Sequence, residues 1–499
     1  MYDWLLIILN RFKDNKHILG LLVLATALIV GLATGQIPDL PVETPTPTFT
    51  LQPTSTFTLQ PTLTNTLVPT ATFTPVPTLT NTLVPTFTSV PPTVVTSIPT
   101  TPVVSTGKLW YVAVNGLATN DGTLAKPWDS RTGQWDNPKV KPGDTVCFLS
   151  GTYDGVGGIR YVNGTADKPI TVRPCDGAKA VIRRGTSIYS DYVIFTEFEI
   201  YYPYTSRVST QSTSHPTDLE YRSTAVTVLG NYVKVINNVI HDMTQGISVN
   251  VGYVGAEVYG NIIYNNGWTA PDRTHGHGIY PQNVSATIPM VIENNVVFNN
   301  FSSYNIHVYA ESPVVVNTIV KDNITFNGTL LVGGSSSFDN ITVLNNFHYG
   351  TGYLRLGYSS NPINRSILVK NNTVKEIQMK KWNNAVLQDN RYNILSYELA
   401  PVSITGTKPY PTTNEIIWQQ NKYDGSYFVI IHNPEGKSSI TLDMPFSNYT
   451  IYNVQNLVEK QTNNVINMNG FTYLKPLGYD KYLAPATTPY FLVLLVKED

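Results

Sequence analysis

One short frame recurs through the middle of this 499-residue chain: an apolar residue, two further positions, an asparagine, then alternating apolar residues. Val291-Ile292-Glu293-Asn294-Asn295-Val296-Val297-Phe298 states it in full, and it returns around Asn238, Asn261, Asn323, Asn346, Asn372, Asn390 and Asn421. In chain order these asparagines are spaced by 23, 34, 28, 23, 26, 18 and 31 residues. A period in that range marks a solenoid, because a coil of that length cannot bury its apolar face alone and must stack on its neighbours.

Alternation of Val, Ile and Phe over short runs calls for strands whose every second side chain points into a dry interior. Between two such strands the chain turns inward, and a buried turn strands backbone N–H and C=O groups unless a side chain satisfies them. Asparagine carries one acceptor and two donors, so a stack of asparagines can bond the turn backbone and each other. The expected fold is therefore all-β, a right-handed parallel β-helix over residues 108–423. Tyr192–Ile200 reads as one more coil, with Phe198 where later coils place asparagine.

Residues 109–182 add a resemblance. Tyr111-Val-Ala-Val-Asn-Gly116, Asn120-Asp-Gly-Thr123, Lys141-Pro-Gly-Asp-Thr-Val146 and Gly151-Thr-Tyr153 are similar to the opening of bacterial pectate-lyase-like β-helix proteins. The resemblance extends over about residues 109–423. It implies the fold; such proteins include lyases, hydrolases, epimerases and binding proteins, so it does not fix the chemistry.

Ahead of the repeats, Ile18 to Ile37 is a run of 20 residues without a charge, preceded by Arg11, Lys13 and Lys16. A helix of that length spans a hydrocarbon core of roughly 30 Å. Basic residues before it keep residues 1–17 cytoplasmic and send the remainder outside, as a single-pass cell-membrane protein. The uncleaved anchor is the favoured reading; the alternative is cleavage of a signal peptide at Ala33-Thr34-Gly35, which would make the protein secreted. Residues 38–107 are a Thr/Pro-rich linker whose prolines deny a helix its donors and favour extended conformations. Cys147 and Cys175 lie about one coil apart, a spacing that fits a disulfide or two buried thiols alike. After Asn421 the rhythm gives way to strands separated by Asn, Gly and Pro turns, expected as a C-terminal β-sandwich cap over 424–499.

Two loops interrupt the coils. Pro203–Arg222 contains Arg207, His215, Asp218 and Glu220. Gly267–Asn283 packs Asp272, Arg273, His275 and His277 among glycines. Solenoid insertions project from one face and commonly build a binding site. Strand register extends the argument, because with Ile247, Ile279, Ile306 and Leu354 inward, Ser248, Tyr280, His307 and Arg355 form one outward column. Asn250, Gln282 and Tyr309 form a second column. At about 4.8 Å per coil Tyr280 and His307 are neighbours, and Arg355 lies roughly 10 Å beyond.

That inventory suits an acidic polysaccharide. Lyase chemistry needs a base beside the carboxylate-bearing carbon and a group that neutralises the carboxylate. His277, His307 and Tyr280 are candidate bases, and Arg273 and Arg355 candidate neutralisers. Asp272, His275, Gln282, Asn250 and Tyr309 are expected to bind substrate. Gly276-His277-Gly278 resembles the Gly-His-Gly of polygalacturonases, yet the paired aspartates a hydrolase needs are missing, leaving Asp242, Asp272 and Glu311 only if the fold gathers them. No metal or other cofactor is expected. A net charge of −1 gives no electrostatic case for nucleic acid. The expectation is an exported polysaccharide lyase or related carbohydrate-active enzyme. A non-catalytic glycan-binding or adhesive surface protein and a rigid structural arm are the alternatives.

Overall fold

The computed structural model describes residues 107–499 except 132–134, 136–138, 222, 310, 313, 359–362 and 481–488. The expected cytoplasmic segment, membrane helix and linker lie outside the described residues. Among the described residues every regular element is a strand.

Three parallel sheets of 12, 8 and 9 strands run the length of the repeats. Each full coil visits them in turn: Lys234–Ile236, Val239–His241 and Gln245–Val249 are followed by Glu257–Tyr259, Ile262–Tyr264 and Ile279–Pro281, paired in register above them. This pairing defines a parallel β-helix. Ile240, Ile263, Ile247, Ile279, Val258 and Ile292 are inaccessible to solvent and fill its interior. The first coils are held by stacked Trp110 and Trp128 and by a Cys147–Cys175 disulfide, which decides between the two readings of the cysteine pair.

The repeated asparagine sits between the first and second strands of its coil. Nδ2 of Asn238, Asn261, Asn295, Asn323, Asn346 and Asn372 donates to Oδ1 of the next asparagine at 2.9–3.1 Å, ending on Asn390. The same Oδ1 atoms accept the backbone N–H of the preceding ladder residue. Phe198 takes the asparagine's place, and its N–H donates to Asn238 Oδ1 at 3.0 Å. The residue before each ladder asparagine is left-handed: Asn237, Gly260, Asn294, Asp322, Asn345, Asn371 and Asp389 all have φ between 52° and 66°. Asn, Asp and Gly tolerate that conformation best, which explains why the motif is so often a double asparagine.

Asn421 is not part of the ladder. It follows strand Glu415–Gln420, which pairs antiparallel with Tyr427–His432 in the C-terminal sheet. The boundary therefore falls between Lys408, the last residue bridged to a coil, and Glu415 rather than at 423. The C-terminal part is a five-stranded antiparallel sheet with a two-stranded pair over one face. Val429, Ile431, Leu492 and Leu494 point to Ile440 and Ile466 of that pair. Phe428, Ile430, Phe491 and Val493, on the other face, pack against Ile262, Val296, Phe298, Ile324 and Phe326 of the eight-stranded sheet. The sandwich thus lies along the flank of the solenoid and not over its end, where Ile394, Tyr397, Val402 and Ile404 remain exposed.

Replacing Asn295 by leucine removes two donors and one acceptor from a turn with no solvent access. Asn295→Leu is expected to cost about 1–3 kcal/mol through unpaired backbone groups, read as a lower urea midpoint. An unchanged midpoint would mean that the ladder is dispensable.

Candidate functional site

The nine-stranded sheet carries the outward column. Thr227, Ser248 and Tyr280 are register partners, Ile279 pairs with Ile306 to bring His307 beside Tyr280, and Leu331, Arg355 and Gln378 follow. The rings of Tyr280 and His307 lie 5.4 Å apart, centroid to centroid. Arg355 is two coils beyond His307, with Leu331 between them.

Both insertions leave the turn that leads into this sheet. Trp268–Thr269 and Thr274–His275 pair as a small hairpin. Gly267 and Gly276 form its root; a Cβ on Gly276 would fall 2.2 Å from the Gly267 Cα, so only glycine fits there. The first insertion adds to the hairpin through the Val208–Thr269 bridge, and Arg207 fastens it. The Arg207 guanidinium is fully buried, 2.7 Å from Asp242, bonded to the carbonyls of Gly267, Asn265 and Met243, and stacked on Phe301 and Tyr204. Arg207 is therefore structural. Asp218 ties Ser209 and Thr210, and Glu220 ties Thr205, so of the charged residues described in this loop only His215 reaches the cleft below.

That cleft has a volume of about 570 Å³ and gathers His277, Tyr280, His307, Tyr309, Arg273 and His275 from the sequence-derived set. Asp272 stands behind it, holding Arg273 at 2.8 Å and His275 at 3.5 Å. Asn250 and Gln282 lie on the neighbouring outward column without lining the cleft, and Arg355 also stands outside the lining. Trp268, stacked on His275 at 4.7 Å, forms one wall. Asp242 and Asp272 do not converge with Glu311, the one carboxylate among the described lining residues. The two positioned carboxylates of a hydrolase are absent from the cleft as described.

The histidines differ in their partners. His307 is 5% exposed; its Nε2 lies 2.9 Å from the Gly333 carbonyl, so that nitrogen carries the proton. Nδ1 of His307 is then a bare lone pair, with no hydrogen-bond partner among the described residues. Burial, aided by the Arg355 charge, pulls the His307 pKa down to about 4, so the ring is neutral at neutral pH. His277 is anchored instead. Its Nδ1 lies 2.8 Å from Ser302 Oγ, its ring stacks on Tyr280 at 4.9 Å, and it meets His307 edge-on at 4.9 Å. Burial pushes its pKa well down too, aided by the Arg273 charge and by repulsion from His307 and His275 whenever those rings are protonated. Burial pushes the Tyr280 phenol up, so it stays protonated.

Ser302 and Tyr304, which shape the cleft floor, were not singled out from sequence. A second, shorter ladder holds them: Asn266 Nδ2 donates to Asn300 Oδ1 at 3.0 Å, and Asn300 Nδ2 to Asn305 Oδ1 at 3.1 Å. Its signal was present as Asn265-Asn266 and Asn299-Asn300, each pair again opening with a left-handed asparagine. Among the described residues no group of three or more His, Cys, Asp or Glu side chains is gathered as a metal site.

No protein-family model matches the chain, and no curated protein matches its sequence. Among solved structures, a pectate lyase is similar at 15% identity and a TM-score of 0.40, over 62% of this chain and 81% of that one. A rhamnogalacturonan lyase is similar at 15% identity and a TM-score of 0.38, over 61% of this chain and 85% of its own. An alginate lyase from Paenibacillus gives 15% identity and a TM-score of 0.38, over 60% and 99%. The assignment as a parallel β-helix repeat protein rests on the pairing of this chain's own strands.

Stability should peak near pH 6.5. Burial lowers His307, His348 and His432 from 6.5 to about 4, so the unfolded chain binds protons that the folded one refuses. Their contribution is complete above about 6.5 and is lost as pH falls through about 4. His241 has the opposite sign: burial alone would lower it, but hydrogen bonds to Asp242 and Glu199 hold it at about 9. Its contribution is complete below about 6.5 and is lost as pH rises through about 9. Urea midpoints measured across pH test this, and a midpoint that rises steadily to pH 9 contradicts it.

Proposed function

We propose that this chain is a carbohydrate-active β-helix protein that cleaves an acidic polysaccharide by β-elimination. The observation that carries this reading is the unpaired Nδ1 of His307, a neutral base held by Gly333 and enclosed by the rings of Tyr280, Tyr304 and Tyr309, so that substrate must part those rings to reach it. In the proposed step, His307 Nδ1 takes the proton from the carbon beside the uronate carboxylate. The released electron pair forms the new C=C bond as the bond to the leaving glycosidic oxygen breaks. Tyr280, kept protonated by its surroundings, gives its proton to that oxygen. The proton on His307 then returns to Tyr280 and resets the pair. His277, fixed by Ser302, positions Tyr280 and His307.

The carboxylate itself assists. Entry of an anion beside two buried imidazoles raises their pKa values toward the working pH, so the base becomes effective only when substrate is bound. Arg273 at the rim supplies the charge partner, and Arg355 adds a second cation from beyond Leu331. A single carboxylate among the described lining residues and a neutral histidine base favour elimination over hydrolysis.

The same reading places the folded part outside the cell, anchored through residues 18–37 and held off by the linker 38–107. The Cys147–Cys175 disulfide supports an oxidising compartment.

Absorbance of unsaturated products from a panel of uronic-acid polysaccharides tests the activity. His307→Gln retains a donor for Gly333 and should lower turnover about 10²–10⁴-fold, the usual worth of a general base. Arg273→Ala should raise KM for acidic glycans more than it lowers kcat. Unchanged turnover in His307→Gln, or a wild type that shortens no glycan, rules the reading out.

A further inference from the structure

The cleft does not continue along the solenoid as the outward column would lead one to expect. A polysaccharide bound along its length needs the outward residues of successive coils to form an open floor on both sides of the reacting sugar. On the C-terminal side the next residue of the column, Leu331, has no solvent exposure, although it points outward. Tyr358 provides cover there: its ring lies against Gly333, where an added Cβ would approach two ring atoms at 3.0 Å. The Arg355 guanidinium lies over the Tyr358 ring at 4.5 Å, and the Tyr358 hydroxyl faces that of Tyr304, itself a cleft residue. Tyr304, from the coil of His307, and Tyr358 and Arg355, from two coils on, therefore form a wall across the column over Leu331. On the N-terminal side Ser248 is 7% exposed and its hydroxyl is turned onto Asn250 at 3.0 Å.

We infer that the site is a pocket closed on its C-terminal side by Tyr304, Tyr358 and Arg355, and that it takes the end of an acidic glycan chain rather than its interior. This rests on the proposed glycan-directed function and adds to it the mode of attack. A chain seated at Tyr280 and His307 stops at the wall, so short products of one size are released successively from one terminus. Because only termini fit, binding follows the number of chain ends and not the mass of polymer.

Two measurements on the folded protein with its linker test this, using oligouronides and polyuronates of graded length. In calorimetric titrations at equal mass of sugar, the fraction bound should fall in proportion to chain length, a fold-change equal to the ratio of lengths. Affinity per mole that instead climbs with chain length, as expected when many internal registers compete for an open groove, overturns the inference. In the second measurement, products from two preparations of an oligouronide, one labelled at each terminus, are sized from the first minutes. One short labelled product from either preparation supports the pocket; a ladder of intermediate sizes from both overturns it while leaving the lyase reading intact. If binding follows chain ends but no glycan is shortened, the lyase reading fails and the pocket stands. Absence of binding by every oligouronide removes both. Tyr358→Ala opens the wall and should restore binding to chain interiors; Tyr358→Phe keeps the ring and should leave end preference in place.

Discussion

The asparagine ladder is the constraint on which the rest of the molecule depends. Each coil must turn sharply between its first and second strands, and that turn is buried, so its N–H and C=O groups have no water to meet. A left-handed residue makes the turn, and the asparagine after it satisfies the backbone of its own coil and of its neighbours. The bonds run between coils, so each coil's turn is completed only by the next. That reciprocity keeps the strands flanking the turn in register from Asn238 to Asn390. On the third strand the Ile279–Ile306 pairing lines up Tyr280 with His307, and a shift between Tyr304 and Ile306 interrupts the pairing to the next coil.

On this regular frame the site is built from two departures that the frame itself could not support. Residues 203–222 and 267–283 are held together by Arg207, whose charge sits without solvent access between Asp242, three backbone carbonyls and two aromatic rings. Removing one member of such a buried pair is costly, because the other charge is left uncompensated. Asp242 also accepts from His241 and from the Leu477 backbone N–H, so the insertions, the solenoid and the C-terminal sheet meet at one carboxylate. The cleft is thus fastened at its root, as the proposed abstraction of a carbon-bound proton requires.

The C-terminal sandwich uses a different interaction. On the outer face of the eight-stranded sheet, His241, Tyr264, Phe298 and Phe326 stack ring on ring at 4.9, 5.0 and 4.4 Å, and Phe491 of the sandwich meets Phe326 at 5.3 Å. A face that would be polar in an isolated solenoid is here apolar because it is an interface. Lys422, bonded to Glu257 at 2.7 Å and Glu293 at 2.8 Å, pins the entry to the sandwich on the adjacent sheet.

The sequence alone determined the solenoid, its asparagine turns, the substitution at Phe198 and the outward alignment of Tyr280 with His307. Those features follow from local periodicity: a period of two within strands and about 23–34 residues between most turns, both readable without knowing what touches what. Asn421 misled because a short apolar frame around asparagine also suits an antiparallel strand end, and only pairing distinguishes them. Arg207 reads as a loop cation, but long-range packing against Asp242 and Gly267 makes it structural. Whether His307 keeps a bare nitrogen depends on the Gly333 carbonyl 26 residues away. Arg355 stands behind Tyr358 and not on an open floor for the same kind of reason. Partners distant in the chain leave no periodic trace, so protonation, burial and the closure of the cleft were decided by the tertiary structure.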